Sequence, residues 1–251
     1  MKVAIITSVY YPKDSLKKYD LITTVLETIP YYAGTDYDLF MINDGAEDPR
    51  FDEYMKEYSP KKYCKSVIYS CRENRGITKS LNELLSKVDE SYTHICLLDL
   101  DVLLPVYWLK KCCGVLDHSS NIGLCGILVE DHLEPSLNEG VFKTKDNAMF
   151  ANVNSIGGAC LVFRAQEFKG YGFDETLISD HIDAYIISRY RIDGKKSCTL
   201  LERGHHPKED YESAEFIALK LARYHETMPT FHDIFQRIGH QDLITKPFRF
   251  N

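Results

Sequence analysis

The sequence lacks any apolar run approaching the roughly 18 residues that a membrane-spanning helix needs. Its first 12 residues carry neither the basic start nor the cleavage site of a secretory leader. No transmembrane anchor is therefore expected, and the expected setting is cytoplasmic. Also missing is any patterning of the 8 cysteines: there is no CxxC pair, and Cys112 and Cys113 are simply adjacent on a predicted helix. Zinc-site spacing is thus absent. Cys96, Cys125 and Cys160 sit instead in apolar, strand-like runs, where a thiol acts as a small buried hydrophobe. Unpaired thiols fit a reducing compartment. Basic charge is in deficit, with 30 Lys and Arg against 37 Asp and Glu for a net charge of -7. That balance argues against broad binding to nucleic acid or anionic membrane, leaving at most a local groove around Lys13, Lys17 and Lys18 or Lys61, Lys62 and Lys65. No Ser/Gly-rich linker, internal repeat or low-complexity tract divides the chain. The simplest organisation is one domain over residues 1–208 with a C-terminal helical extension, 209–251, packed on it.

What is present is an ordinary globular composition, 44% hydrophobic and 27% charged over 251 residues. A chain of this length buries about 70–75% of its unfolded surface and needs no disulfide or metal to fold. The first half alternates apolar strand runs with helical periodicity. Strands are predicted at Val3–Val9, 39–42, 67–69 and His94–Leu98, with helices over 17–29, 49–58 and 77–88 between them. In the last of these, Ile77, Leu81, Leu84, Leu85 and Val88 recur on one face. The second half is less regular. Strands are predicted at Ile122–Val129, 159–163 and 197–201, with helices over Ile182–Ile192 and 211–225. Residues 130–156 read as a long, turn-rich connection, a length usually tied to function. The fold class that follows is α/β, a mixed but mainly parallel sheet flanked by helices.

Right-handed crossovers bring the C-terminal ends of parallel strands to one edge, where open α/β sheets bind ligands. Thr7, Ser8, Asn43, Asp44, Asp99 and Asp101 all fall at such ends. Two carboxylates at the end of a buried strand are costly without a partner. Alternate residues of an extended segment face the same way, so Asp99 and Asp101 can address one Mg²⁺ or Mn²⁺ ion and, through it, a diphosphate. Asp101 can equally cap a helix, and Asp44 can equally serve the Asn-Asp-Gly turn in which it sits. Arg75 precedes a helix and can approach a phosphate or base, or simply be solvated. Gly157 and Gly158 permit close backbone approach to a ligand, or a bulge.

Taken in order, five segments resemble the inverting, GT-A-fold glycosyltransferases of the family 2 group. VAIITSVYY resembles the first strand of that family, and INDGAED (residues 42–48) resembles its nucleotide-holding Asp-Gly segment. ENRGITKSLN (73–82) resembles its Asn-x-Gly element, and LLDLDVLLPVYWL (97–109) its metal-binding DxD region. GGACLVFR (157–164) followed by YGFDE (171–175) resembles its acceptor-side strand and the segment after it. The resemblance implies a nucleotide-sugar donor, expected to be a UDP-sugar, bound around Thr7, Tyr10, Asp44, Arg75, Asp99 and Gly158. It also implies a divalent cation, Mn²⁺ or Mg²⁺, held by Asp101 with Asp99. His205 or His206, after the predicted last strand, resembles the histidine that many such enzymes place near the metal, with His205 taken as the ligand. The hydroxyl-bearing acceptor is a glycan or lipid-linked sugar by default, and a modified nucleobase is admitted.

An inverting transfer needs a general base for the acceptor hydroxyl. Where the family shows Gly-Glu-Asp-x-Asp at the start of a helix, this chain reads Ser179-Asp180-His181-Ile182-Asp183. Ungapped, the base position falls on His181, and Asp180 replaces the glutamate. Asp180 is the first candidate base and His181 the second, with Asp183 supporting; Asp180 also suits a plain N-cap. Two other readings stand beside the transferase. A nucleotidyltransferase shares the architecture but carries a glycine-rich basic loop after the first strand, and here that position is Tyr10-Tyr11-Pro12-Lys13-Asp14. A non-catalytic nucleotide-sugar-binding module would account for the altered base segment.

Overall fold

The computed structural model describes residues 1–10, 16–129, 138–154, 156–176 and 182–206. The first half runs β1 (Val3–Val9), α1 (Leu16–Tyr32), β2 (Tyr37–Asp44), α2 (Pro49–Glu57), β3 (Cys64–Arg72), α3 (Ile77–Lys87) and β4 (His94–Leu98). The second half continues with α4 (Trp108–His118), β5 (Ile122–Val129), β6 (Asn138–Lys143), β7 (Met149–Val153), β8 (Cys160–Arg164), α5 (Ala165–Lys169), α6 (Ile182–Ile192) and β9 (Lys196–Gly204). The described strands form one nine-stranded sheet in the order β3-β2-β1-β4-β8-β5-β9-β7-β6. β1, β2, β3 and β4 are mutually parallel, as are β5 and β9, and only β7 and β8 run against the rest. The expected mixed, mainly parallel sheet is what forms.

Strand alternation sorts the apolar side chains onto two faces. Val3, Ile5 and Val9 point into one core, where the α1 stripe of Ile22, Val25, Leu26 and Ile29 covers them with Phe51 of α2 and Trp108 of α4. Ala4 and Ile6 point the other way, onto Leu81, Leu84 and Leu85 of α3, Phe168 of α5 and Ile186 of α6. Burying each large side chain is worth roughly 1.5–3 kcal/mol against leaving it exposed. Cysteine serves the first core as predicted: Cys96, Cys112, Cys113, Cys125, Cys160 and Cys198 all lie in it, and all eight thiols are free.

Residues 130–156 are not one irregular connection. They contain the β6–β7 hairpin, in which Phe142 pairs with Phe150 and Lys143 with Met149, and the two phenyl rings stack 5.5 Å apart. Its turn passes through Asn147 at φ 65, a conformation asparagine tolerates better than most residues. Elsewhere the predicted strands were too short: β2 and β3 extend past their apolar centres to Asp44 and Arg72. The predicted helix over 211–225, and with it the 209–251 extension, lies outside the described residues. Among those described, no helix is long and apolar enough to cross a membrane.

Candidate active site

The parallel strands deliver their polar residues to one edge of the sheet. At the end of β2, Asp44 is only 2% exposed, and its Oδ1 accepts the backbone N–H of Arg75 at 3.2 Å. The turn carrying it is held from behind. Asn43 Oδ1 accepts the Ala46 N–H at 2.7 Å, and Asn43 Nδ2 donates to Asp52 Oδ1 at 2.9 Å. Asp52 also takes the Tyr69 hydroxyl and the Cys71 thiol. Burial pushes the Asp52 carboxyl up, but hydrogen bonds from Tyr69, Asn43 and Cys71 outweigh it and hold the group below the usual aspartate range. Gly45 completes the turn at φ +83, and a Cβ there would lie 2.7 Å from the Asn74 backbone nitrogen. Only glycine lets the 43–46 turn press on the 73–76 loop this closely.

Arg75 therefore reaches Asp44 through its backbone. Its guanidinium turns outward to Glu83 of α3 at 3.2 Å, with the side chain 56% exposed. Asn82, on the same helix, exchanges two hydrogen bonds with the backbone of Phe173: Nδ2 donates to its carbonyl and Oδ1 accepts its N–H, both at 2.9 Å. On β1, Thr7 is fully buried, and its Oγ1 has no hydrogen-bond partner among the described residues. Tyr10 follows directly, half-buried.

The DxD segment leaves β4 with the Asp99 N–H bonded to the Ala159 carbonyl at 2.9 Å. Asp101 then lies in a turn rather than on a continuing strand. Its Oδ1 is 3.6 Å from His206 Nε2, and its Oδ2 is 3.8 Å from Lys18 Nζ. The histidine arrives along an extension of β9. Leu103 and His205 form an antiparallel bridge, closed by two backbone bonds of 2.9 Å. Gly204 fits against Val102 and Leu103, where a Cβ would come within 3.0 Å. Neighbours on an extended backbone point to opposite sides. His205 is exposed accordingly, and His206 faces Asp101. Of the two histidines, it is His206 and not His205 that the structure sets beside Asp101.

Lys18, expected only as one of the basic groups of a local groove, is 9% exposed. The signal lay in its spacing: positions 18, 22, 25 and 29 form a single helical stripe, and the other three are Ile22, Val25 and Ile29. A Cβ added at Gly158 would lie 3.6 Å from the Cβ of Asp183, in the first turn of α6. That is ordinary contact, so crowding by the described residues does not require a glycine there. Asp180 and His181 fall outside the described residues.

Among the described residues, no group of three or more His, Cys, Asp and Glu side chains is placed to hold a metal ion by itself. Asp101 and His206 offer one carboxylate and one imidazole. That donor pair suits Mn²⁺ and can serve where further ligands come from water or a phosphate-bearing substrate.

A mixed sheet of this order, with helices on both faces, has the GT-A architecture. Residues 1–349 of TarS from S. aureus superpose with a TM-score of 0.58 at 14% identity, over 96% of this chain and 70% of that one. A mannosyltransferase, PcManGT from Pyrobaculum calidifontis, in complex with GDP-Man and Mn²⁺, gives 0.59 at 14% identity, over 96% and 68%. GalNAc-T7 with UDP, GalNAc and Mn²⁺ gives 0.58 at 11% identity, over 98% and 58%. No curated protein matches the sequence. The family model described as glycosyl transferase family 2 matches residues 13–167, more than half of the chain. The chain belongs to glycosyl transferase family 2, and it is a glycosyltransferase.

Proposed function

We propose that this enzyme transfers a sugar from a nucleotide-diphosphate donor, a UDP-sugar in the first instance, to an acceptor hydroxyl with inversion at the anomeric carbon. The observation that carries this reading is the contact of Asp101 with His206 at the edge of the sheet. It sets a carboxylate and an imidazole where the strand ends converge. UDP in a complex of TarS residues 1–349, and GDP-Man or UDP with Mn²⁺ in the other two neighbours, support a nucleotide-sugar donor and a divalent cation.

In this reading Asp101 and His206 hold Mn²⁺ or Mg²⁺, and Asp99 assists. The ion, when bound, supplies positive charge to the departing diphosphate. Asp44 accepts hydrogen bonds from the base or ribose of the nucleotide, and Thr7 and Tyr10 stand at the end of the neighbouring strand, β1. Arg75 positions Asp44 through its N–H, since its guanidinium is engaged by Glu83. Asp180 takes the proton of the acceptor hydroxyl as its oxygen attacks the anomeric carbon and the bond to diphosphate breaks. His181 is the second candidate for that role. The catalytic domain is assigned to residues 1–208, with 209–251 as its extension, acting in the cytoplasm on a glycan, a lipid-linked sugar or a modified nucleobase.

The test is a donor screen with UDP-, GDP-, dTDP- and CMP-sugars, with Mn²⁺ or with EDTA, following nucleotide release. Metal-dependent release from one donor, lost in Asp101→Ala, is the expected result. Tight donor binding with no turnover on any acceptor would leave a nucleotide-sugar-binding module. No binding of any donor would overturn the reading.

A further inference from the structure

We propose that Lys18 is a resident counter-cation of Asp101 that makes metal binding conditional on the diphosphate of the donor. The inference rests on the assignment of Asp101 and His206 to the metal, and it concerns a residue to which that assignment gives no part.

Lysine is rarely this buried unless something pairs with it. Lys18 is 9% exposed, and its ammonium points at the acid end of the DxD segment, 3.8 Å from Asp101 Oδ2. Its stem continues the apolar stripe of α1 that runs through Ile22, Val25 and Ile29 into the core. A lysine stem packed this way carries its charge to one place rather than sweeping through solvent. The two side chains are 11% and 18% exposed, so water and salt screen the pair less than they would a surface pair. The other carboxylate oxygen faces His206. Asp101 is thus approached by a fixed monocation on one side and a metal-type donor on the other.

A divalent ion entering beside His206 must share one carboxylate with that ammonium, and like charges in a poorly screened site repel. The metal alone is therefore disfavoured. A diphosphate changes the balance, because its oxygens add negative charge beside the ammonium and supply further ligands to the metal. Metal and diphosphate then bind with positive coupling, and each tightens the other by the same factor. Lys18 acts through Asp101 and is a positioning residue.

The experiment measures free Mn²⁺ by electron paramagnetic resonance during titration of the full chain, with and without UDP. The proteins compared are wild type, Lys18→Met, which removes the charge but keeps the length, and Lys18→Arg, which keeps the charge. Circular dichroism establishes that each is folded. Lys18→Met is expected to bind Mn²⁺ alone about tenfold more tightly than wild type, with a correspondingly smaller gain on adding UDP, an effect within the usual span of coupling between sites. Lys18→Arg should stay near wild type. Unchanged or weaker Mn²⁺ binding by Lys18→Met would overturn the proposal and leave Lys18 as a support for Asp101. If Lys18→Met does not fold, Lys18→Gln takes its place with the same expected direction. Mn²⁺ binding that survives Asp101→Asn unchanged would instead remove the metal assignment, and this inference with it.

Discussion

Asn82 and Phe173, 91 residues apart, are joined by a reciprocal pair of hydrogen bonds in which one side-chain amide imitates a strand partner. The amide ties α3, in the first half of the chain, to the YGFDE segment in the second. Asn82→Leu keeps the volume but leaves the Phe173 N–H and carbonyl unmatched. A loss of about 2–3 kcal/mol is expected in urea denaturation. Asn82→Ala should lose a similar amount, and Asn82→Asp at least as much, because its second carboxylate oxygen would face the Phe173 carbonyl and the Glu175 carboxylate, to which Asn82 Nδ2 donates at 2.9 and 3.0 Å.

The one-residue distinction between His205 and His206 is directly measurable. His206→Ala should lower activity with the preferred donor at least tenfold and raise the Mn²⁺ concentration needed for half-maximal rate, as expected on losing a ligand. His205→Ala removes an exposed side chain whose contribution to the bridge is made by its backbone, so its rate should stay within about twofold of wild type. The opposite ranking would return the ligand to His205.

His94 gives the fold a pH dependence of known sign. It is 3% exposed at the start of β4, and burial lowers its pKa, against the partly opposing pull of Asp117. A depressed value means that the unfolded chain binds the proton first. The stability contributed by neutral His94 is complete above the ordinary histidine value of about 6.5, and is lost as pH falls through the lower native value. Thermal melts between pH 7.5 and 5.5 should show the midpoint falling with pH. His94→Asn should flatten that slope while lowering the plateau.

Thiol chemistry separates the surface from the core. Cys71 is exposed and the other seven cysteines are buried. A chromogenic disulfide reagent should therefore titrate one thiol per chain within minutes under native conditions, and all eight in denaturant. Cys71→Ser should abolish the fast phase. Because burial and the neighbouring Asp52 raise the Cys71 pKa, that phase should run slower than for a free thiol at neutral pH. A second fast thiol would place a gap in the packing around one of the seven buried cysteines.

Where a single physical signal dominates, the sequence was legible. Apolar runs bounded by turn residues located β1, β4 and β5 at their observed limits, and Asp44 does lie at the end of β2, as the strand pattern implied. Legibility failed where two signals compete. Lys18 drew notice only for its charge, as part of a basic cluster, although its helical register put it on the buried stripe. The β6–β7 hairpin was obscured because polar residues surround its two short apolar pairs. Arg75 was read for its charge alone, and its N–H contact with Asp44 had no signal in the sequence. His205 and His206 are equivalent as letters, and only the bridge to Leu103 decides which way each faces. Asp180 and His181 lie outside the described residues, so their roles stay with the proposal.

The bridge between Leu103 and His205 also bears on when the enzyme becomes competent during synthesis. Asp101 leaves the ribosome about a hundred residues ahead of His206. In the interval β1 to β4 can pair among themselves, because their contacts are local to the first half. The histidine is set in place only once β9 has slotted between β5 and β7. On the proposed assignment of Asp101 and His206, an emerging chain would hold the carboxylate end of the site without its imidazole until the last described strand is docked. Release of sugar from the donor would then report complete assembly of the sheet rather than of its first four strands.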